Sequence, residues 1–341
     1  MKIAIHHRPN SYSEQWIDYC DRHNIKYKIV DAYANNILEQ VADCDAFMWH
    51  FHLHQYKDYL FAKQLIYVIE KQIGKITFPN YDTCWHYDDK VGQKYLLESI
   101  GAPLIPTYIF YTRQEALEWA KTATFPKIFK LRCGASSENV HLVKTQKKAR
   151  RIINQAFGKG FEQYNRINDI KVQWSKYKNS NGSLLELLRS IKRLFVSTEF
   201  SRMHPREIGY VFFQDYLPNN DSDTRVFLIG NRAVAKKRMN KPNDFRASGS
   251  DFQIFDKEQV DTRCVEIAFE VNKKLKMQSV AFDFLFSENK SPVIAEISYC
   301  SGKRNKDYPG YWTNDMQWHE ETNINICNWI IEDIIEKINK K

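Results

Sequence analysis

The chain has 341 residues, room for about two domains, or three if they are small. Its 43% hydrophobic and 27% charged content is that of a globular protein, which excludes a disordered or collagen-like chain. Lysine and arginine number 50 against 41 acidic residues, a formal +9 that suits nucleotide phosphates, nucleic acid or anionic lipid without choosing among them.

The first 80 or so residues alternate short apolar runs with helical patterns. Lys2–His6, Lys26–Val30, Ala46–Phe51 and Lys75–Phe78 read as strands, with Ser11–His23 and the amphipathic Lys57–Gln72 as helices. This order predicts a parallel, doubly wound sheet, in which ligands gather at the carboxyl ends of the strands. His6-His7-Arg8 and the run His50, His52, His54 fall at those ends. Asp88–Ile100 reads as a helix capped by Asp88 or Asp89 and stopped by Gly101 and Pro103. A strand (Thr107–Phe110), a helix (Arg113–Lys121) and a strand (Lys127–Leu131) follow. The small-residue loop Cys133–Ser137 leads into Val140–Val143, and residues 145–207 are polar and basic with helical stretches. Strand signals return at Tyr210–Phe213, Thr224–Ile229, Arg232–Lys237, Ala281–Phe286 and Pro292–Ile297, with a Gly230-Asn231 hairpin turn. Thr262–Lys276 is a helix, and Ile330, Ile331, Ile334, Ile335 and Ile338 stripe a last one.

No apolar run approaches the ~18 residues of a membrane span. The opening MKIAIHHRPN lacks the long apolar stretch of a signal peptide. Seven scattered cysteines without a CxxC pair argue against a disulfide framework or structural zinc and for a reducing cytosol. A cytoplasmic location is the expectation.

Asp283 in AFDFLF and Glu296 in VIAEIS lie in two apolar strands joined by a polar turn. As antiparallel neighbours the two carboxylates share a face. Acids inside apolar strands are costly unless paired or metal-bound. Mg²⁺ commonly takes one or two carboxylates plus substrate phosphates; buried Lys, Arg or backbone donors are the other way to satisfy the pair. Upstream, Lys130 ends a strand and Gly134–Ser137 follow it, a stretch suited to covering phosphates or simply to a loop. It matches neither GxxxxGK[ST] nor GxGxxG. Gln214-Asp215-Tyr216-Leu217 ends a strand where an adenine edge would find backbone groups. Asp221 and Asp223 offer acceptors to ribose hydroxyls, and Arg238 and Arg246 flank an Asn-rich loop from which they could stabilise phosphoryl charge.

Taken in order, DDK (88–90), KLRCGASS (130–137), QDYL (214–217), DTR (223–225), DFRASG (244–249) and the Asp283…Glu296 pair resemble the ATP-grasp superfamily of carboxylate–amine ligases. DTRVFLIG…KKR…DFRASG is especially similar to the ribosomal-protein glutamate ligase branch. The resemblance covers most of the chain. It implies an α/β fold with α+β elements: an N-terminal parallel pre-ATP-grasp domain over 1–87, a central ATP-grasp subdomain over 88–213 with a basic helical insertion, and a C-terminal subdomain over 214–341. It implies ATP and Mg²⁺ as cofactors. Lys90 and Lys130 would contact ATP phosphates or the adenine pocket, and Gly134, Ala135, Ser136 and Ser137 would form the loop over the phosphates. Gln214, Asp215, Tyr216 and Leu217 would line the adenine hinge, with Asp223 near the ribose. Arg225, Arg238 and Arg246 would face the transferred phosphate and the acyl phosphate, and Asp283 and Glu296 would hold Mg²⁺. The family usually has Glu-x-Asn here, whereas this chain has Glu296-Ile297-Ser298, so the second metal position falls to a hydroxyl or a water.

The resemblance implies a small-molecule carboxylate and an amine as substrates, and a homodimer is possible because many relatives dimerise. Substrate contacts fall to His6, Arg8, His50 and His52 at the strand ends; the histidines also read as a base, a metal cluster or ordinary loop residues. Lys303, Arg304, Tyr308 and Trp312 in the tail read as holding and stacking on an anionic sugar, or as a packed aromatic loop. The tail resembles ATP-grasp proteins associated with surface-polysaccharide synthesis, which suggests a uronic acid or sugar-linked carboxylate. The rivals are an ATP-grasp phosphotransferase, an ATP-binding scaffold without ligase activity and, through Lys144–Arg151, a nucleic-acid-binding protein.

Overall fold

The computed structural model describes residues 1–52, 55–134, 139–163, 170, 173–174, 177–178, 183–195, 206–240, 244, 252–300 and 308–341. The chain divides into two units. Unit one comprises Met1–Tyr87, Tyr95–Leu104 and Leu217–Lys341, and unit two Asp88–Lys94 and Ile105–Tyr216.

Unit one opens with β1 (Ile3–His6), α1 (Tyr12–Arg22), β2 (Tyr27–Val30), α2 (Ile37–Val41), β3 (Ala46–Met48), α3 (Tyr56–Tyr67), β4 (Ile76–Phe78) and α4 (Tyr81–Cys84). The strands pair in parallel in the order β2-β1-β3-β4. The chain therefore reverses its winding between β1 and β3, the doubly wound arrangement expected from the sequence. The predicted Lys57–Gln72 helix is present, but its last turn, Val68–Gln72, widens to π-helical geometry. The inner strands β1 and β3 are buried along their whole length and read as short continuous apolar runs, while the edge strand β2 exposes Ile29.

The rest of unit one is built on β9 (Ser222–Ile229), β10 (Arg232–Met239), β11 (Gln253–Ile254), β12 (Ser279–Phe286), β13 (Pro292–Ser298), β14 (Gly310–Thr313) and β15 (Trp318–Glu320). These form an antiparallel sheet in the order β13-β12-β9-β10-β14-β15, with β11 also on β10. Val226, Leu228, Ala235, Val280, Phe282 and Phe284 point to one face and pack with helix α9 (Thr262–Leu275). Phe227, Ile229, Val234 and Ala281 have the opposite parity and join the core of the N-terminal sheet and helix α10 (Ile326–Asn339). The isoleucine stripe faces inward as predicted, with Ile330, Ile331 and Ile334 buried.

Unit two contains β5 (Thr107–Phe110), α6 (Arg113–Thr122), β6 (Lys127–Lys130), β7 (His141–Val143), α7 (Gln146–Ala156), α8 (Leu184–Phe195) and β8 (Val211–Asp215). Its antiparallel sheet has the order β5-β8-β6-β7. The strand expected at Tyr210–Phe213 runs to Asp215, because Gln214 and Asp215 pair with Ile128 and Lys127. Helix α5 (Lys90–Ser99) carries the chain from unit two into unit one.

All seven cysteines are free. Burial pushes up the thiols of Cys20, Cys44, Cys84, Cys133, Cys264 and Cys300, Cys20 and Cys300 to about 11. None of these six is a ready thiolate nucleophile. Among the described residues no helix is long and apolar enough to cross a membrane.

The β9–β10 turn is clamped to α10. Arg232 bonds Glu332 at 2.9 Å and Asp333 at 2.8 Å and lies over the Trp329 ring. Gly230 has φ +55°, and a Cβ there would meet Asp333 Oδ2 at 2.4 Å while Arg232 holds that carboxylate. Gly230→Ala therefore adds a left-handed strain and a contact that cannot relax without loosening the clamp. The expected cost is about 1–3 kcal/mol, read by urea unfolding.

Candidate functional site

In unit one, antiparallel pairing aligns Glu296 with Asp283, Asp283 with Arg225, and Arg225 with Lys236. One charged row thus crosses β13, β12, β9 and β10 with two carboxylates followed by two cations. Two residues further along, Arg238 pairs with Asp223. Strand side chains alternate, so Asp223, Arg225, Lys236 and Arg238 face the same way as Phe227 and Val234. The hydrophobic parity that builds the cores therefore also collects the charges on one face.

The contacts are short and mostly bidentate. Arg225 donates through Nε to Asp283 Oδ1 at 2.6 Å and through Nη2 to Oδ2 at 2.7 Å. Arg238 grips Asp223 at 2.6 and 2.5 Å and reaches Asp283 Oδ2 at 2.9 Å. Burial works against the charge of Asp283, but the two guanidiniums outweigh it and hold the carboxyl below the usual range. Burial and the neighbouring charge of Asp283 raise the carboxyl of Asp223 against the pull of Arg238. Such desolvated charges persist only where partners are fixed. Lys236, 5% exposed, lies over the Phe255 ring. Its signal in the sequence is the KKR run, where it shares a strand face with Arg238 but reads equally well as a solvated lysine.

Ser298 lies two residues beyond Glu296 on the same face, and its Oγ donates to Cys300 O at 3.1 Å. Its oxygen keeps lone pairs, whereas the usual Asn would present a carbonyl. Among the described residues no group of three or more His, Cys, Asp and Glu side chains is arranged to hold a metal. Both Asp283 oxygens already accept from Arg225, but Oδ1 takes only that one bond and keeps a lone pair, so Asp283 Oδ1 and the facing Glu296 still fit Mg²⁺, which needs only one or two protein carboxylates when phosphates complete its shell.

In unit two the DDK run straps the start of the small-residue loop. Lys90 Nζ donates to Gly134 O at 2.9 Å, and Gly134 N donates to Asp88 Oδ1 at 2.9 Å. Arg132 bonds Asp89 at 2.5 Å. Gly134 has φ +116°, which favours glycine. On the sheet, Lys130 Nζ donates to Gln214 Oε1 at 2.7 Å. Lys127, which reads in the sequence as an ordinary strand-end lysine, is buried against Asp215 at 2.5 Å and sits over Tyr108. Tyr216 ends unit two, and Leu217 begins the last part of unit one. Ala135, Ser136, Ser137, Arg246, Lys303, Arg304 and His54 lie outside the described residues.

Four expectations change. Both Asp223 oxygens accept from Arg238, so the carboxyl expected near a ribose is also the partner that fixes a guanidinium. Tyr308 and Trp312 are buried, Tyr308 edge-on to Phe255 and Trp312 4.5 Å from the Trp318 ring. They pack the cores and do not offer a free face to a sugar. His6 Nδ1 accepts from Ala32 N at 3.0 Å, and His50 Nδ1 accepts from Tyr12 N at 3.1 Å. A backbone N–H thus points at each Nδ1, with Val30 O also 3.3 Å from that of His6 and the Ser11 hydroxyl 3.0 Å from that of His50, so both rings are tied into the strand ends. His50 also stacks on Tyr12 at 3.7 Å. Fourth, Arg8 is tied up: its Nη1 bonds the fully buried Asp58 at 3.0 Å and its Nη2 bonds His50 O at 3.3 Å. Asp58 also accepts from the Tyr33 hydroxyl and from His52 N at 2.6 Å. Sequence reasoning missed Asp58 and Tyr33, because an acid on an amphipathic helix reads as solvated.

Residues 203–308, which contain the whole charged row, match the family model described as RimK-like ATP-grasp domain. The chain has the ATP-grasp fold. The solved D-cycloserine synthetase DcsG is similar at 12% identity and TM-score 0.60, over 99% of this chain and 100% of that one. D-alanine–D-alanine ligase from Bacillus anthracis is similar at 14% identity and TM-score 0.55, over 100% and 98%. The ATP-grasp ligase PsnB, solved in complex with a minimal precursor, is similar at 12% identity and TM-score 0.56, over 98% of each chain. No curated protein matches the chain in sequence. Within the ATP-grasp fold of this chain, the RimK-like match spans the strands that carry the row.

Asp58→Ala would leave the Tyr33 hydroxyl, the His52 N–H and Arg8 without their shared acceptor. The expected loss is roughly 2–4 kcal/mol in urea unfolding. Burial lowers the pKa of His6. As pH falls from the unfolded histidine's value of about 6.5 toward that lowered native value, the unfolded chain binds more protons than the native one, so stability falls. In His6→Gln this part of the pH dependence should flatten.

Proposed function

We propose that the chain is an ATP- and Mg²⁺-dependent ligase that activates a carboxylate as an acyl phosphate and joins it to an amine, releasing ADP and phosphate. The observation that carries this reading is the row Glu296–Asp283–Arg225–Lys236 with Arg238 beside it. Phosphoryl transfer asks a protein for positioning and charge stabilisation, with little covalent chemistry of its own. Raised thiols and a rigid set of cations and carboxylates suit that demand. The named neighbours, a synthetase and two ligases, support the reaction class.

In this reading Arg225 and Arg238 hold the transferred phosphoryl group and the acyl phosphate, with Lys236 adding charge. Asp223 positions Arg238. Asp283 and Glu296 hold Mg²⁺, with Ser298 or a water it orients in place of the usual Asn. When bound, Mg²⁺ neutralises phosphate charge. The family resemblance assigns Lys90, Lys130 and the Gly134–Ser137 loop to nucleotide phosphates and Gln214–Leu217 to the adenine. The acid substrate is read from the tail resemblance as a uronic or sugar-linked carboxylate. With Tyr308 and Trp312 packed, its recognition falls to the charges of Lys303 and Arg304 rather than to stacking.

The test is a trapping assay with Mg-ATP, hydroxylamine and pooled carboxylic acids, including uronic acids, reading ADP and hydroxamate by mass. ADP together with a hydroxamate is expected, and Asp283→Asn should lower its rate by about 100-fold or more. A stable phosphorylated product formed without any amine would replace the ligase with a phosphotransferase. Measurable ATP binding with no ADP from any pool would count for a scaffold.

A further inference from the structure

The chain's positive charge is concentrated. Residues 144–207 contain fifteen Lys and Arg against five Asp and Glu, a net +10, so the other 277 residues together carry −1. Nothing in the ligase reading uses this segment. Its helix α8 buries Leu187 and Ser190. Next to that buried edge, Leu184, Leu188 and Ile191 recur at helical spacing and are 52%, 54% and 40% exposed, and Leu185 is 63% exposed. Arg189 and Lys192 follow Leu185 and Leu188 by four residues, which sets cations along the flank of the apolar stripe. Trp174 and Tyr177 earlier in the segment are exposed as well.

We propose that α8, with the cations Arg189 and Lys192 that it carries, forms a docking surface for an anionic lipid membrane, on which the helix lies in the interface plane. A basic helix with an exposed Leu/Ile stripe has the make-up of such helices. Anionic lipid answers both features, drawing the cations electrostatically and taking the leucines below the headgroups. Nucleic acid would answer the charge and leave the leucines in water. An acidic peptide would need an apolar face of its own.

The test sediments the full chain with vesicles of phosphatidylcholine alone and of an equal mixture with phosphatidylglycerol. Binding to the anionic vesicles only is expected, weakening as salt rises from about 50 to about 300 mM. The triple variant L184S/L188S/I191S should lose at least about tenfold in partitioning while keeping its far-UV dichroism. If that variant loses helical signal, Leu188→Ser alone carries the comparison, with a smaller loss in the same direction. The proposal is overturned by equal binding to both vesicle types, by binding to neither, or by a folded variant that partitions like the parent chain. Binding of soluble polyglutamate or duplex RNA without vesicle binding would overturn it in favour of those polyanions.

Discussion

Charges of both signs on one face of an antiparallel sheet constrain everything around them. Asp283 lies against two guanidiniums, and Arg238 is shared between Asp283 and Asp223. An unpaired carboxylate or guanidinium at that depth would cost several kcal/mol, so the members are tolerable only together. The pairing requires that β13, β12, β9 and β10 keep their register, because a slip of one residue would turn each charge to the opposite face. The register is secured by the apolar residues between the charges. Val226, Phe282 and Phe284 on one side and Phe227 and Ala281 on the other belong to separate cores.

The same economy operates in the N-terminal sheet at smaller scale. Asp58 gathers Arg8, Tyr33 and the His52 N–H, and backbone N–H groups take the Nδ1 atoms of His6 and His50. At the point where the winding reverses, these polar groups thus satisfy one another. Histidines that look available in the sequence are held by main-chain donors, whose positions follow from how α1 and the loop after β2 return across the strand ends.

Much of the fold was legible because it rests on periodicity. The parallel N-terminal strands, the β9–β10 and β12–β13 hairpins and the inward isoleucine stripe of α10 follow from apolar spacing and turn residues. The pairing of Asp283 with Glu296 was legible too, since both acids interrupt apolar strands joined by a short turn. Lys236, Lys127 and Asp58 were not. Each is a charged residue in a segment where solvent exposure explains it equally well, and only neighbours distant in sequence show otherwise. Tyr308 and Trp312 erred in the opposite direction, as aromatics in a polar tail whose burial depends on β10, β15 and Phe255.

By itself the sequence determined the class of fold, the order of its parts and the chemical types present: hard oxygen ligands and cations suited to a phosphate, with no activated thiol. These are local properties, set by spacing along the chain. The tertiary structure decided which charges face each other, which carboxylate holds a guanidinium, and which rings pack instead of binding. Those are pairings between strands tens of residues apart, and burial, which sets the energy of each charge, exists only once they have formed.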